Sequence, residues 1–176
     1  MKRKKFVVVG QGPSRAAARL SERRRRREAC AGRVGRKLAE MLGMPEATFY
    51  AAAERFNLNA QFHGKSGKGD AFRVPEGLSK ASRELARRRN TRFVLLGRAV
   101  GKCFGVSGPF LSRTVRDYGN EFLFFPHPSG INLWWNDARN RREASRVLRR
   151  FVNGRGSWRR KRTSRSSPTT RARARR

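Results

Sequence analysis

The sequence predicts a three-layer α/β/α sandwich with a central parallel sheet of about four strands. Four short apolar runs, at Phe6–Val9, Arg55–Leu58, Phe93–Leu96 and Phe122–Phe125, supply the strands. Three of the four are continuous rather than alternating, as strands need to be when helices cover both faces of their sheet. The segments between them carry helical spacing and are long enough for the crossovers that parallel neighbours require.

Each element follows from local signals. Phe6-Val7-Val8-Val9 runs into the compact polar loop Gly10-Gln11-Gly12-Pro13-Ser14, where glycine and proline end the strand. Val34, Leu38, Met41 and Leu42 then share one helical face, and Gly43 stops that helix. The second strand ends near Asn57. After it, Gly64, Gly67 and Gly69 with Lys65 and Lys68 read as a flexible basic loop whose backbone can approach a phosphodiester closely. Leu78, Ala81 and Leu85 repeat the helical spacing before the third strand, which passes into Gly97 and Arg98. The fourth strand leads, through Pro126, into His127-Pro128-Ser129-Gly130-Ile131, placing an imidazole and a hydroxyl on the rim of a buried strand. Ala144, Val147, Leu148 and Phe151 mark the last helix. Ligands in such folds lie where strand ends meet helix starts, so the loops at 10–14 and 127–131 suggest one site built from two strand ends.

The chain of 176 residues fits one domain, residues 1–151, followed by a basic tail, residues 152–176. From Phe151 onward there are 10 Lys or Arg, no acid and a Ser/Thr/Pro-rich middle, a composition that builds no core and is expected to be disordered. Arg23–Arg27 forms a second basic block. Overall, 44 basic against 12 acidic residues give a formal charge of +32, a field that concentrates polyanions and points to nucleic acid as partner. The same charge disfavours self-association, so a monomer is expected.

Cys30 and Cys103 are too few and too far apart for a thiolate metal site, and no metal or other cofactor is expected. The apolar stretch after the basic start stops within four residues, too short for an export signal, and no run reaches the length of a membrane span. A cytoplasmic protein is expected.

Two nucleotide signatures fail on inspection. Gly10-Gln11-Gly12 begins like a dinucleotide fingerprint, but Arg15 stands where the third glycine belongs. Gly64-Lys65-Ser66 ends like a phosphate-binding loop, but Asn59 stands where its first glycine belongs.

The remaining pieces resemble, in order and in context, the uracil-DNA glycosylase superfamily. Gly10-Gln11-Gly12-Pro13-Ser14 looks like its first motif, the loop after strand one. Ala31-Gly32-Arg33-Val34-Gly35-Arg36-Lys37-Leu38 is similar to the segment opening the second helix in the thermostable branch. Asn57 sits where the family keeps a base-reading Asn. Val94-Leu95-Leu96-Gly97-Arg98 resembles the third-strand segment, and His127-Pro128-Ser129-Gly130-Ile131 the second motif. The resemblance covers Phe6 to Phe151.

What the resemblance implies is a DNA glycosylase that extrudes a nucleotide and reads its pairing edge in a pocket. Asn57 offers a donor and an acceptor to the O4 and N3–H edge of uracil. Gly12 and Cys30 line the base position. His127 donates to the O2 of the departing base, which a neutral imidazole can do without burying a charge. Pro13, Ser14, Lys65, Lys68, Arg98 and Ser129 contact DNA, and Ile131 matches an apolar wedge filling the gap left by the base.

The chain departs from the family in three places. Gly12 stands where the best-known branch has a water-orienting Asp. Gln11 is the substitute through its amide oxygen, with Asp70 a second, distant candidate. Cys30 replaces the aromatic that stacks on the base, leaving Phe62, Phe49 or another ring for that task. The four cluster cysteines of the thermostable branch are missing, so the chain resembles a divergent, cluster-free member. The expected function is hydrolysis of the N-glycosidic bond of uracil, or of a related modified base, in DNA. The alternative is a catalytically inactive nucleic-acid-binding protein on the same scaffold, and a nucleotide-sugar hydrolase comes third. His63, in the basic glycine loop, is expected to be exposed or to face phosphate. Of Trp134 and Trp135, one is expected in the core and one on the surface.

Overall fold

A computed structural model describes residues 6–19, 21, 24, 29–30, 32–67, 69–129 and 132–154. The expectations for Lys68, Ile131, most of the block at Arg23–Arg27 and the tail from residue 155 lie outside the described residues. In chain order the described residues form β1 (Phe6–Gly10), the one-turn α1 (Arg15–Ala18), α2 (Arg33–Leu42), α3 (Glu46–Ala52), β2 (Ala53–Asn57), a small hairpin of β3 (Lys65–Ser66) and β4 (Gly69–Asp70), then α4 (Val74–Ala86). β5 (Arg92–Leu96), α5 (Arg98–Cys103), β6 (Arg113–Val115), β7 (Glu121–Phe125) and α6 (Ala138–Asn153) follow, with 3₁₀ turns at Asp117–Gly119 and Leu133–Asn136.

Continuous apolar strands become two cores because side chains alternate across a strand. Phe6, Val8, Val94, Leu96, Leu123 and Phe125 point to one face, where Leu38, Phe49, Leu148 and Phe151 of α2, α3 and α6 cover them. Val7, Val9, Phe93, Leu95, Phe122 and Phe124 point to the other, covered by Ala81 of α4 and by Val100 and Cys103 of α5. The result is a three-layer α/β/α sandwich. Each fully buried Phe or Leu contributes about 1.5–3 kcal/mol relative to exposure, so this interleaving dominates the stability of the sheet.

The sheet order is β2-β1-β5-β7-β6. The first four strands are parallel, as expected, and β6 adds an antiparallel edge. β6 has no apolar run to announce it: Arg113-Thr114-Val115 is short and half-exposed, as an edge strand can be. From β1 the chain first adds β2 on one side, then crosses back to place β5 on the other. The order therefore reverses at β1, and the crevice outside its carboxyl end is the place where open α/β sheets hold ligands.

Of the face expected for α4, Ala81 is fully buried and Leu85 packs against the same core, but Leu78 is 45% exposed, and the helix buries Gly77 and Glu84 as well. The reason is closeness: a Cβ at Gly77 would lie 2.5 Å from the Phe72 ring and 3.0 Å from the Cys103 sulfur, so small residues occupy the contact and the larger Leu78 turns outward. The buried Glu84 carboxylate is held by Arg87 at 2.5 Å and Arg88 at 3.0 Å, and Arg88 also pairs with Glu54. At the C-terminal side α6 runs to Asn153, with Val152 buried. Among the described residues no helix is long and apolar enough to cross a membrane.

Candidate active site

In-register pairing of β1 and β2 sets Gly10 directly beside Asn57. A Cβ at Gly10 would collide with Asn57 Oδ1 and lie 2.8 Å from Cys30 Sγ, so the absent side chain is what lets the amide and the thiol meet. Cys30 adopts a left-handed backbone, φ 53°, which costs about 1–2 kcal/mol for a residue with a Cβ. That turn delivers the thiol as donor to Asn57 Oδ1 at 3.8 Å. Burial pushes the thiol pKa up to about 12, with the Arg55 guanidinium opposing. Cys30 is therefore a protonated donor rather than a nucleophile. With Oδ1 receiving the thiol, Asn57 keeps its Nδ2 as a donor for a ligand.

The loop after β1 is pinned to the loop after β2 by main-chain bonds from Leu58 to Gly10 at 3.0 Å and from Asn59 to Gln11 at 2.9 Å. Asn59, itself buried, clamps Arg73 through both polar atoms of its amide, at 2.9 and 3.0 Å. The clamp closes residues 59–73 into a flap and returns its β3–β4 hairpin to the first loop, where Gln11 Nε2 donates to the main-chain oxygen of Asp70 at 2.9 Å. Lys65 Nζ lies 2.7 Å from the Asp70 carboxylate. Asp70, distant in sequence, is thus a wall of the site.

On the other side, the amide of Gly97 donates to Phe125 at 2.8 Å and the residue takes φ 91°, directing the chain into α5. Arg98 opens that helix with its guanidinium 4.9 Å from the centre of the Phe110 ring. His127 follows β7. Its main-chain oxygen accepts from Asn132 Nδ2 at 3.0 Å and from Trp135 Nε1 at 2.8 Å, and Trp135 is buried against Phe125. The backbone of His127 is therefore fixed from two sides. Its burial lowers the imidazole pKa, partly opposed by the negative charge of Asp70, so the ring is neutral at pH 7.

These strand ends enclose one open cleft of about 1000 Å³. Gln11, Gly12, Cys30, Asn57, Asp70 and His127 line it. Pro13, Ser14, Lys65, Arg98 and Ser129 stand at the same cleft, while Lys68 and Ile131 lie outside the described residues. The Ser14 hydroxyl caps α1, accepting from the amide of Ala17 at 3.3 Å. Of the aromatic candidates, Phe62 lines the cleft, whereas Phe49 is fully buried against Phe6 and Tyr50 and reaches no ligand. Trp134 is the half-buried member of its pair, edge-on to Phe110 at 6.1 Å and on the cleft wall.

His63 differs from expectation. Its side chain is only 14% exposed and pairs with Glu76 Oε2 at 2.9 Å, while the other Glu76 oxygen accepts from the amide of Ala60. A carboxylate in the first turn of α4 captures the ring. Asn132 and Trp135, which anchor His127, were not singled out as site residues. The signal for Asn132 is its position before a helical turn, where it accepts from Trp134 at 3.2 Å as a cap. Arg33, Gln61 and Phe110 also reach the cleft from loops or helix starts that no sequence period marks. Among the described residues no three His, Cys, Asp or Glu side chains gather as a metal site. No protein-family model matches the chain, and no curated protein matches it.

Proposed function

We propose that the protein is a DNA glycosylase that hydrolyses the N-glycosidic bond of uracil, or of a closely related pyrimidine, after the nucleotide has left the base stack. The observation that carries this reading is the convergence of Gln11, Asn57, Asp70 and His127, from four separate chain segments, on one cleft at the carboxyl ends of parallel strands. A cleft of about 1000 Å³ has room for a nucleotide with its flanking phosphates.

Each group then has a chemical task. Asn57 Nδ2 donates to O4 of uracil, and would oppose the amino group of cytosine at that place. Phe62 supplies a ring face for stacking. As the bond between C1′ and N1 breaks, its electron pair leaves with the base and the charge gathers on O2, where the neutral His127 imidazole donates a hydrogen bond. Water adds to C1′, held by the Gln11 amide oxygen, and its proton passes to the Asp70 carboxylate. Lys65, Arg98 and Ser129 hold the flanking phosphates.

The test is alkaline strand scission of a uracil-containing single strand and of a U·G duplex after incubation with the purified protein. Excision is expected, and His127→Ala should abolish it while leaving DNA affinity in place. Equal excision by that variant rejects the site. Binding without excision by the wild type, across several modified bases, would favour a non-catalytic DNA binder on this scaffold.

A further inference from the structure

Away from the cleft, α6 carries a second concentration of charge. Its outer face presents Arg141, Arg142, Arg146, Arg149 and Arg150, which together with Ser145 enclose a shallow groove of about 830 Å³. Glu143 is the single acid within the helix, and it is engaged by Arg146 at 2.5 Å. The opposite face of the same helix buries Ala144, Leu148, Phe151 and Val152 in the core, so the arginine face is held on a rigid element. Two of the arginines are fixed further: Arg141 donates to the main-chain oxygens of Trp135 and Asn136, and Arg149 donates to that of Met41 at 2.7 Å.

We propose that this face of α6 is a second nucleic-acid-binding surface, one that tracks a phosphodiester backbone without reading bases. Arg142, Arg146 and Arg150 recur every four residues on a helix that rises ~1.5 Å per residue, so they step by about 6 Å, close to the separation of successive phosphates on a strand. Arginine presents a planar fork that suits phosphate oxygens. No exposed large apolar side chain interrupts the row, which fits a polyanion better than an apolar partner. At the N-terminal end of the same helix, Arg141 donates to the main-chain oxygen of Trp135, whose indole in turn holds that of His127. DNA gripped along α6 is thereby presented to the strand ends, while the proposal itself requires no excision.

The experiment compares the full chain with a triple variant, Arg142→Gln, Arg146→Gln and Arg150→Gln, in which glutamine preserves helix propensity. A control triple variant, Arg83→Gln, Arg89→Gln and Lys102→Gln, removes equal charge from the side of the sheet covered by α4 and α5. Binding to a uracil-free 30-base-pair duplex is measured across a salt series, with thermal unfolding to confirm that both variants are folded. The α6 variant should lose about tenfold or more in affinity, and its salt slope should flatten by roughly 2–3, as loss of three phosphate contacts implies, while the control changes the slope by less than about 1. Equal slopes in the two variants would overturn the proposal. Wild-type protein with no excision activity but this slope difference would defeat the glycosylase reading alone. Excision that persists with no slope difference would defeat the α6 surface alone. An α6 variant that fails to fold is replaced by the single changes Arg142→Gln and Arg150→Gln, each expected to flatten the slope by roughly 1; no flattening in either overturns the proposal.

Discussion

Gln11 Nε2 donates to the main-chain oxygen of Asp70 at 2.9 Å, a bond between residues 59 positions apart. Only the NH₂ end of the amide can donate to a carbonyl, so this contact sets the orientation of the Gln11 side chain and leaves its Oε1 as the acceptor available to a water. It also holds the β3–β4 hairpin against the first loop, which brings a carboxylate to a site whose own loop has Gly12 where a water-orienting Asp is expected.

Asp70→Asn keeps the main-chain bond to Gln11 and the shape of the hairpin but removes the proton acceptor. Single-turnover excision should slow by about 10²-fold, within the usual range for loss of a general base. Affinity for DNA should hold or rise slightly, since the negative charge beside Lys65 is removed and the phosphate it holds no longer competes with a carboxylate. An unchanged rate would remove Asp70 from the mechanism.

Gly12→Asp is the complementary gain. A Cβ at Gly12 has its nearest neighbour, Asn59 Cβ, at 3.6 Å, an ordinary contact, and the position needs no left-handed backbone. A carboxylate placed there should raise the excision rate, by roughly 10-fold or more if it acts as an added base, and should partly rescue Asp70→Asn. A rate that falls in both backgrounds would show that this loop does not face the reacting carbon.

Gly10→Ala should do the reverse. The added methyl meets Asn57 Oδ1 and Cys30 Sγ, neither of which is the end of a long flexible chain, so one of them must move. Overpacking of this kind costs about 1–3 kcal/mol, to be read by denaturant unfolding. Displacement of Asn57 should raise KM for uracil-containing DNA more than it lowers affinity for uracil-free DNA. Equal effects on both would mean that Asn57 does not read the base.

The parallel sheet was legible because buried strands must be apolar on both faces, and the runs at Phe6, Phe93 and Phe122 have no other economical placement. Asn57 was legible because it ends a strand, and His127 because it lies just past one, after Pro126. Asp70 was not: it is brought in by the Asn59–Arg73 clamp and by a hairpin, and these depend on pairings across 14 and 59 residues that leave no local period. Leu78 shows the same limit from the other side. Helical spacing identified α4 and the inward Ala81 and Leu85, but the outward turn of Leu78 is decided by the closeness of Phe72 and Cys103 at Gly77, which is a property of the packing.

The lowered pKa of His127 gives a pH signature in both stability and rate. A free imidazole titrates near 6.5, and the folded one titrates below that because burial disfavours its cation more than Asp70 favours it. Above 6.5 the folded and unfolded chains are both neutral at this residue. As pH falls through 6.5 the unfolded chain takes up a proton that the native chain refuses, so stability declines until the folded value is passed. His127→Asn removes this contribution. Between pH 7 and pH 5 the variant should therefore lose less unfolding free energy than the wild type. The rate follows the same group: excision by the wild type should stay level from pH 7.5 down past 6.5, then fall once the imidazole is protonated and carries its charge into the cleft. A rate that drops with a midpoint at or above 6.5, or a variant that loses as much acid-side stability as the wild type, would place His127 in a solvated position incompatible with a neutral hydrogen-bond donor to the leaving base.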